Sequence, residues 1–168
     1  MTVFGRPVSA LELGGWAVGL VGLFNLAGSL IWAGSAAGTP KKDMLALLYA
    51  LRALAFVMFL ALPLSWLSVL AFAASLGFLW LGTVPLTSGL VGYRFGPIHL
   101  SMLSGIVFFS HQLGSFFGGW GAGRIYDLRG DYGLMWWISV GFGVFVTLLH
   151  WCIREQPVPR LAIAAEAA

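Results

Sequence analysis

The sequence predicts an all-α membrane protein with five crossings, and three observations carry the prediction. Hydrophobic residues make up 60% of the chain, charged residues only 9%, and mean hydropathy is +0.92; a soluble domain carries roughly 25% charged residues. The charges fall in clusters separated by apolar stretches of bilayer-crossing length, which is about 20 residues at 1.5 Å rise across roughly 30 Å of hydrocarbon. Those stretches are long and glycine-interrupted. Barrel strands would alternate over about ten residues instead. Nine Lys/Arg and six Asp/Glu cannot coat a globule of 168 residues. A soluble globule, a disordered chain and a nucleic-acid binder are therefore excluded together, and the lipid bilayer is the first partner. The net charge of +3 comes from scattered loop residues and not from a basic patch.

The first span covers residues 13–34, since no charge falls between Glu12 and Lys41. Residues 1–12 form a short segment ahead of it. A cleaved signal peptide is the competing reading, with Arg6 at its start and small residues from Ala33 to Ala37 as a cleavage site. Its apolar stretch exceeds the usual ~7–15 residues, and Asn25 and several glycines inside it suit a packed helix better. Lys41, Lys42 and Asp43 make a polar loop with Gly38 and Pro40 as breakers. From Met44 to Tyr93 the one charge is Arg52, and the run is too long for one crossing. Pro63 divides it, with Ser65 as an N-cap, into spans at 44–62 and 66–85. Residues 87–97 hold Arg94 and three glycines and are expected to be a loop. The fourth span is placed at 98–123, followed by a loop at 124–131. The fifth span is 133–153, and 154–168 is a tail.

An odd number of spans puts the termini on opposite sides. Lys41, Lys42, Arg94, Arg154 and Arg160 share one face, against Arg6, Arg124 and Arg129 on the other. The excess of Lys/Arg places the C-terminus in the cytoplasm and residues 1–12 outside. Trp136, Trp137 and Tyr132 at one end of the fifth span, and Trp151 at its other end, form an interfacial belt.

Within the spans, Gly114, Gly118 and Ala122 lie four apart on the fourth helix, a spacing that lets another backbone approach closely. The expected neighbour is the first span, which has Gly15, Gly19 and Gly22. Chance spacing of common membrane residues is the plainer account. Polar groups at this depth are expensive and default to functional hypotheses. They are Asn25 and Ser29 on the first span, Ser104, Ser110, His111 and Gln112 on the fourth, and Arg52 on the second. Arg52 lies about 13 Å into its span, where an Arg costs about 2.5–3.5 kcal/mol on insertion scales. A nearby carbonyl or helix terminus would offset that cost, and contact with an anionic substrate is the alternative. His111 and Gln112 either bond a neighbouring helix or line an aqueous cavity and touch solute or proton. His99 and His150 sit near the boundaries, and three histidines on separate segments have no metal-ligand spacing. Gly130 is expected to take φ > 0 in the last turn and Asp131 to cap the final helix; Asp127 and Gly130 are read as structural. No nucleotide-binding, hydrolase or zinc motif is present, and the six acids lie in loops and tails, so neither an enzyme nor a bound cofactor or metal is expected. Cys152, the single cysteine, excludes an internal disulfide.

Several stretches carry a resemblance. The chain reads Val84-Pro85-Leu86, Arg94-Phe95-Gly96, Ser104-Gly105, then a glycine-rich helix ending Gly123-Arg-Ile-Tyr-Asp127-Leu-Arg-Gly130-Asp-Tyr132. This resembles the C-terminal half of major facilitator superfamily transporters, in particular the monocarboxylate-porter-like bacterial branch, which carries G-x-x-x-D-x-x-G-x-Y after its eleventh helix. Gly22-Leu-Phe-Asn25-Leu-Ala-Gly28-Ser29 looks like the eighth helix of that family and Tyr49-Ala-Leu-Arg52-Ala like its ninth. The resemblance covers residues 14–158 and implies that the five spans match helices eight to twelve of a twelve-helix carrier for small organic anions or similar metabolites. It implies a cavity lined by Asn25, Ser29, His111 and Gln112, with Arg52 as an outside candidate. Two features depart from the family. The loop at 34–43 lacks a G-x-x-x-D-R-x-G arrangement, and an Asp and Arg pair of the family's eighth helix falls on Asn25 and Ser29. The matching segments also lack a first half and a seventh helix, so the expectation is a partial unit that works with a missing N-terminal half or as a homo-oligomer. A non-transporting membrane subunit assembled through glycine faces is the alternative.

Overall fold

The structure, a computed structural model, describes residues 2–3, 6–36 and 38–158. Arg160 and the rest of 159–168 lie outside them. Among the described residues, two short antiparallel strands, β1 (Thr2–Val3) and β2 (Arg6–Pro7), precede six helices. These are α1 (Ala10–Ser35), α2 (Lys41–Ala61), α3 (Trp66–Trp80), α4 (Thr83–Phe95), α5 (Pro97–Arg129) and α6 (Gly133–Cys152). Because α3 and α4 run on as one stretch, the described residues contain five helical stretches long and apolar enough to cross a membrane.

Local chemistry sets the boundaries. Ser9 caps α1 in a reciprocal box with Glu12, and Ser65 caps α3 the same way with Ser68. Two expected loops are helical. Of the expected loop 87–97, residues 87–95 form most of α4. Pro85 sits in its first turn, where a missing N–H breaks no helical bond, and Arg94 sits in its last turn beside the negative helix end. The real corner is Gly96, at φ 77°, followed by Pro97 at the start of α5. The charged segment 124–131 is likewise helical as far as Arg129. Gly130 turns the chain at φ 74°, its N–H donating to the Tyr126 carbonyl at 2.8 Å. At 1.5 Å per residue α5 is about 50 Å long and overruns a roughly 30 Å hydrocarbon core, so its last charged turns lie beyond the apolar region.

Helices pack in two pairs, α1 with α3 and α2 with α6, joined through contacts of α2 with α3 and α4. In the first pair a Cβ at Gly28 would fall on the Phe78 backbone, and one at Gly77 would lie 2.5 Å from the Val21 carbonyl oxygen, so each glycine admits the other helix's main chain. In the second pair Gly143 lies against Ala53. Trp32, Leu45, Leu48, Leu79, Leu86 and Leu90 form the core. Away from it, Phe56, Phe59 and Phe72 surround Trp136, with ring centroids 5.4–5.8 Å from the indole.

Helix α5 stands apart, with none of its residues buried. The expected packing of the fourth span on the first is corrected here. Among the described residues, nothing beyond the helix's own backbone lies within 4 Å of a Cβ built on Gly114 or Gly118, and the same holds for Gly15, Gly19 and Gly22. The glycines that bring α1 against a neighbour are Gly28 and Gly77, and that neighbour is α3.

Candidate functional site: a stapled break in the third span

The stretch Trp66–Phe95 is interrupted halfway along, at Leu81 and Gly82. Breaking a helix at membrane depth releases backbone groups that water cannot reach, each costing several kcal/mol if left alone. Side chains from two other helices take them up. Arg52, midway along α2, donates through Nε to the Leu79 carbonyl at 3.1 Å and through Nη2 to the carbonyls of Leu79 and Trp80. Asn25, on α1, accepts the Leu81 N–H on Oδ1 at 3.0 Å. Thr83 adds its hydroxyl to the Trp80 carbonyl at 3.1 Å. The guanidinium also lies over the Tyr49 ring, 5.0 Å from its centroid, one turn earlier on α2. Gly82 is small because the Trp32 ring would stand 2.7 Å from a Cβ there.

The residues singled out in the sequence therefore divide into groups. Arg52 and Asn25 meet at one break, joined through its backbone. Ser29, one turn beyond Asn25, turns its hydroxyl to the Leu26 carbonyl of its own helix at 2.9 Å. His111 and Gln112 are exposed on α5, away from the break, and neither side chain makes a hydrogen bond among the described residues. Ser110 beside them bonds the Ile106 carbonyl at 2.9 Å. At the last turn, Asp131 Oδ1 accepts the Gly133 N–H at 2.6 Å at the start of α6, Tyr126 and Tyr132 stack at 4.7 Å, and Asp127 is exposed on α5.

Sequence reasoning left Tyr49 and Thr83 out of this group. Tyr49 precedes Arg52 by three residues, which puts both on one face of α2. Thr83 follows the break directly, where a hydroxyl can reach back to a freed carbonyl. A groove of about 590 Å³ lies between α1, α2 and α3, bordered by Phe24, Leu54, Met58, Phe59 and Phe72. Its two hydroxyls, Ser68 and Ser75, are turned to backbone carbonyls, so it offers nothing to hold an anion. No group of three His, Cys, Asp or Glu gathers among the described residues.

Fold and site together define a helical integral membrane protein with five stretches long and apolar enough to cross a membrane and a polar break inside one of them. No protein-family model, curated protein or solved structure matches the chain.

Proposed function

We propose that the chain is part of a secondary-active transporter for small organic anions or similar metabolites, working with a second membrane part and inactive alone. The observation that carries the reading is the broken span stapled by Arg52 and Asn25. Interrupted helices at the bilayer midplane are where carriers of this kind expose backbone and side-chain polarity to solute. The open face of α5 supports the need for a second part. Ser110, His111 and Gln112 lie near its middle, and polar groups in hydrocarbon call for a protein or cavity partner. The family resemblance adds the solute class and the place of the five spans as helices eight to twelve. We assign the protein to a bacterial inner membrane with the Lys41 end in the cytoplasm, following the Lys/Arg bias.

The test is uptake of labelled small organic anions by proteoliposomes. The chain alone is expected to give none, and the chain reconstituted with an N-terminal transporter part to give saturable uptake lost on His111→Ala or Gln112→Ala. Saturable uptake by the chain alone, abolished by the same substitutions, would show a complete transporter and end the partial-unit reading. A second reading, a non-transporting subunit, is favoured by the unoccupied glycine face at Gly114 and Gly118. Stable association through that face with no uptake in any combination would select it.

A further inference from the structure

Residues 153–158, just past α6, do more than trail from the last span. Glu155 places one carboxylate oxygen on each of the first two amides of α2: Oε1 accepts the Lys41 N–H and Oε2 the Lys42 N–H, both at 2.9 Å. The partners are 114 and 113 residues apart in sequence. The N-cap of α2 is Pro40, which makes no side-chain hydrogen bond, so these first-turn amides have no local acceptor. A carboxylate suits that position twice, as a hydrogen-bond acceptor and as a negative charge at the positive helix end. Three residues on, the Val158 N–H donates to the Arg94 carbonyl at 2.9 Å, in the last turn of α4. Ile153 anchors the near end of the segment by packing on the Trp32–Leu45–Leu48 core. The segment thus takes up free backbone groups at the start of one helix and the end of another, and it borders a cavity of about 890 Å³ that Lys41, Lys42, Tyr93 and Trp151 also line.

We propose that residues 153–158 are a latch that holds the Lys41 end of the bundle closed. It ties the start of α2 to the end of α4. Leu86 and Leu90 hold the body of α4 in the core, and its last turn, from Val91 to Phe95, lies past them with no buried residue, so the Phe95 end is the part the latch has to hold. While the latch is made, the Lys41 stem lies on α4 at Gly89, with Nζ over the Tyr93 ring at 5.6 Å. Release of the whole segment, Glu155 from α2 and Val158 from α4, unpins both helix ends and opens the cavity between them.

Limited trypsin digestion of the full chain in nanodiscs tests this, in a background carrying Arg154→Gln so that trypsin does not cut the latch itself, since Lys42 and Arg94 sit at the two helix ends and Arg129 at the opposite end of the bundle serves as reference. Glu155→Gln keeps the side-chain shape, but its amide presents an NH₂ to one of the two backbone N–H groups. Val158→Pro removes a single donor from an irregular segment. Each is expected to raise cleavage after Lys42 and Arg94 about tenfold relative to Arg129, because proteolysis follows the population of the locally opened state. Ratios within about twofold of the unsubstituted chain for both variants would overturn the latch, being less than the loss of one charge-assisted hydrogen bond. Should Glu155→Gln also accelerate cleavage after Arg52, inside a span, the fold itself has loosened, and the Val158→Pro ratio decides.

Discussion

Arg52 shows how one residue can make a costly environment workable. A charge at this depth would be a liability on a smooth helix, but here it faces two carbonyls that a broken helix has released. Arg52→Met leaves the Leu79 carbonyl without a donor and Trp80 with Thr83 alone. The expected loss is about 2–4 kcal/mol, from ~1–3 for each orphaned buried group, read as reduced resistance to unfolding in detergent. Arg52→Lys should lose less, since an ammonium still donates but cannot span both carbonyls in a fixed fork. Its presence near mid-membrane was legible from the sequence, and so was the need for a carbonyl or helix end. Which carbonyls was not, because Leu79 and Trp80 lie 27 and 28 residues away. Gly130 is the opposite case, a purely local matter. Its φ of 74° is open to glycine, and Gly130→Ala should cost about 1–2 kcal/mol by thermal unfolding.

The elements were legible where the chain carries a breaker and misjudged where it carries only polarity. Ser65 after Pro63 marks a true helix start. Arg94 and the charges at 124–129 do not end helices, because a helix that outruns the hydrocarbon can keep its hydrogen bonds while its side chains reach water. Small-residue spacing proved a weak guide to packing. Gly28 and Gly77 make the closest helix approach, although neither belongs to the four-residue series that stood out. Gly77→Ala puts a Cβ 2.5 Å from a backbone oxygen of α1, so the helices must part. A destabilisation of about 1–3 kcal/mol is expected, as for other overpacked sites. A Cβ at Gly118 on α5 meets no other element among the described residues, so Gly118→Leu should stay within about 0.5 kcal/mol. If α5 docks on a second membrane part, the same substitution should abolish co-purification with it. Unchanged stability for Gly77→Ala would remove the basis for the α1–α3 crossing.

At the scale of the whole molecule, two packed pairs of helices make a bundle and α5 leans out of it. Five spans with the tail tied to Lys41, Lys42 and Arg94 put these residues and Arg154 at one end. Accessibility tagging is expected to find residue 38 and the C-terminus on the same side of the membrane, and the N-terminus with residue 131 on the other. An N-terminal tag on the same side as the C-terminal one would mean an even number of crossings and would dismantle the arrangement.

The sequence by itself determined the solvent and the number of helical stretches long and apolar enough to cross a membrane. Both follow from local quantities, the scarcity of charge and the lengths of the apolar stretches, which a chain cannot hide by folding. It also located the turn at Gly130 and the cap at Ser65, whose partners are within a few residues. Only the tertiary structure decided what Asn25, Arg52 and Glu155 touch, which glycines carry close helix contacts, and that α5 keeps an open face. Those outcomes depend on groups far apart in the chain, and in a bilayer every helix face is apolar, so hydrophobic patterning does not distinguish the side turned to lipid from the side turned to protein.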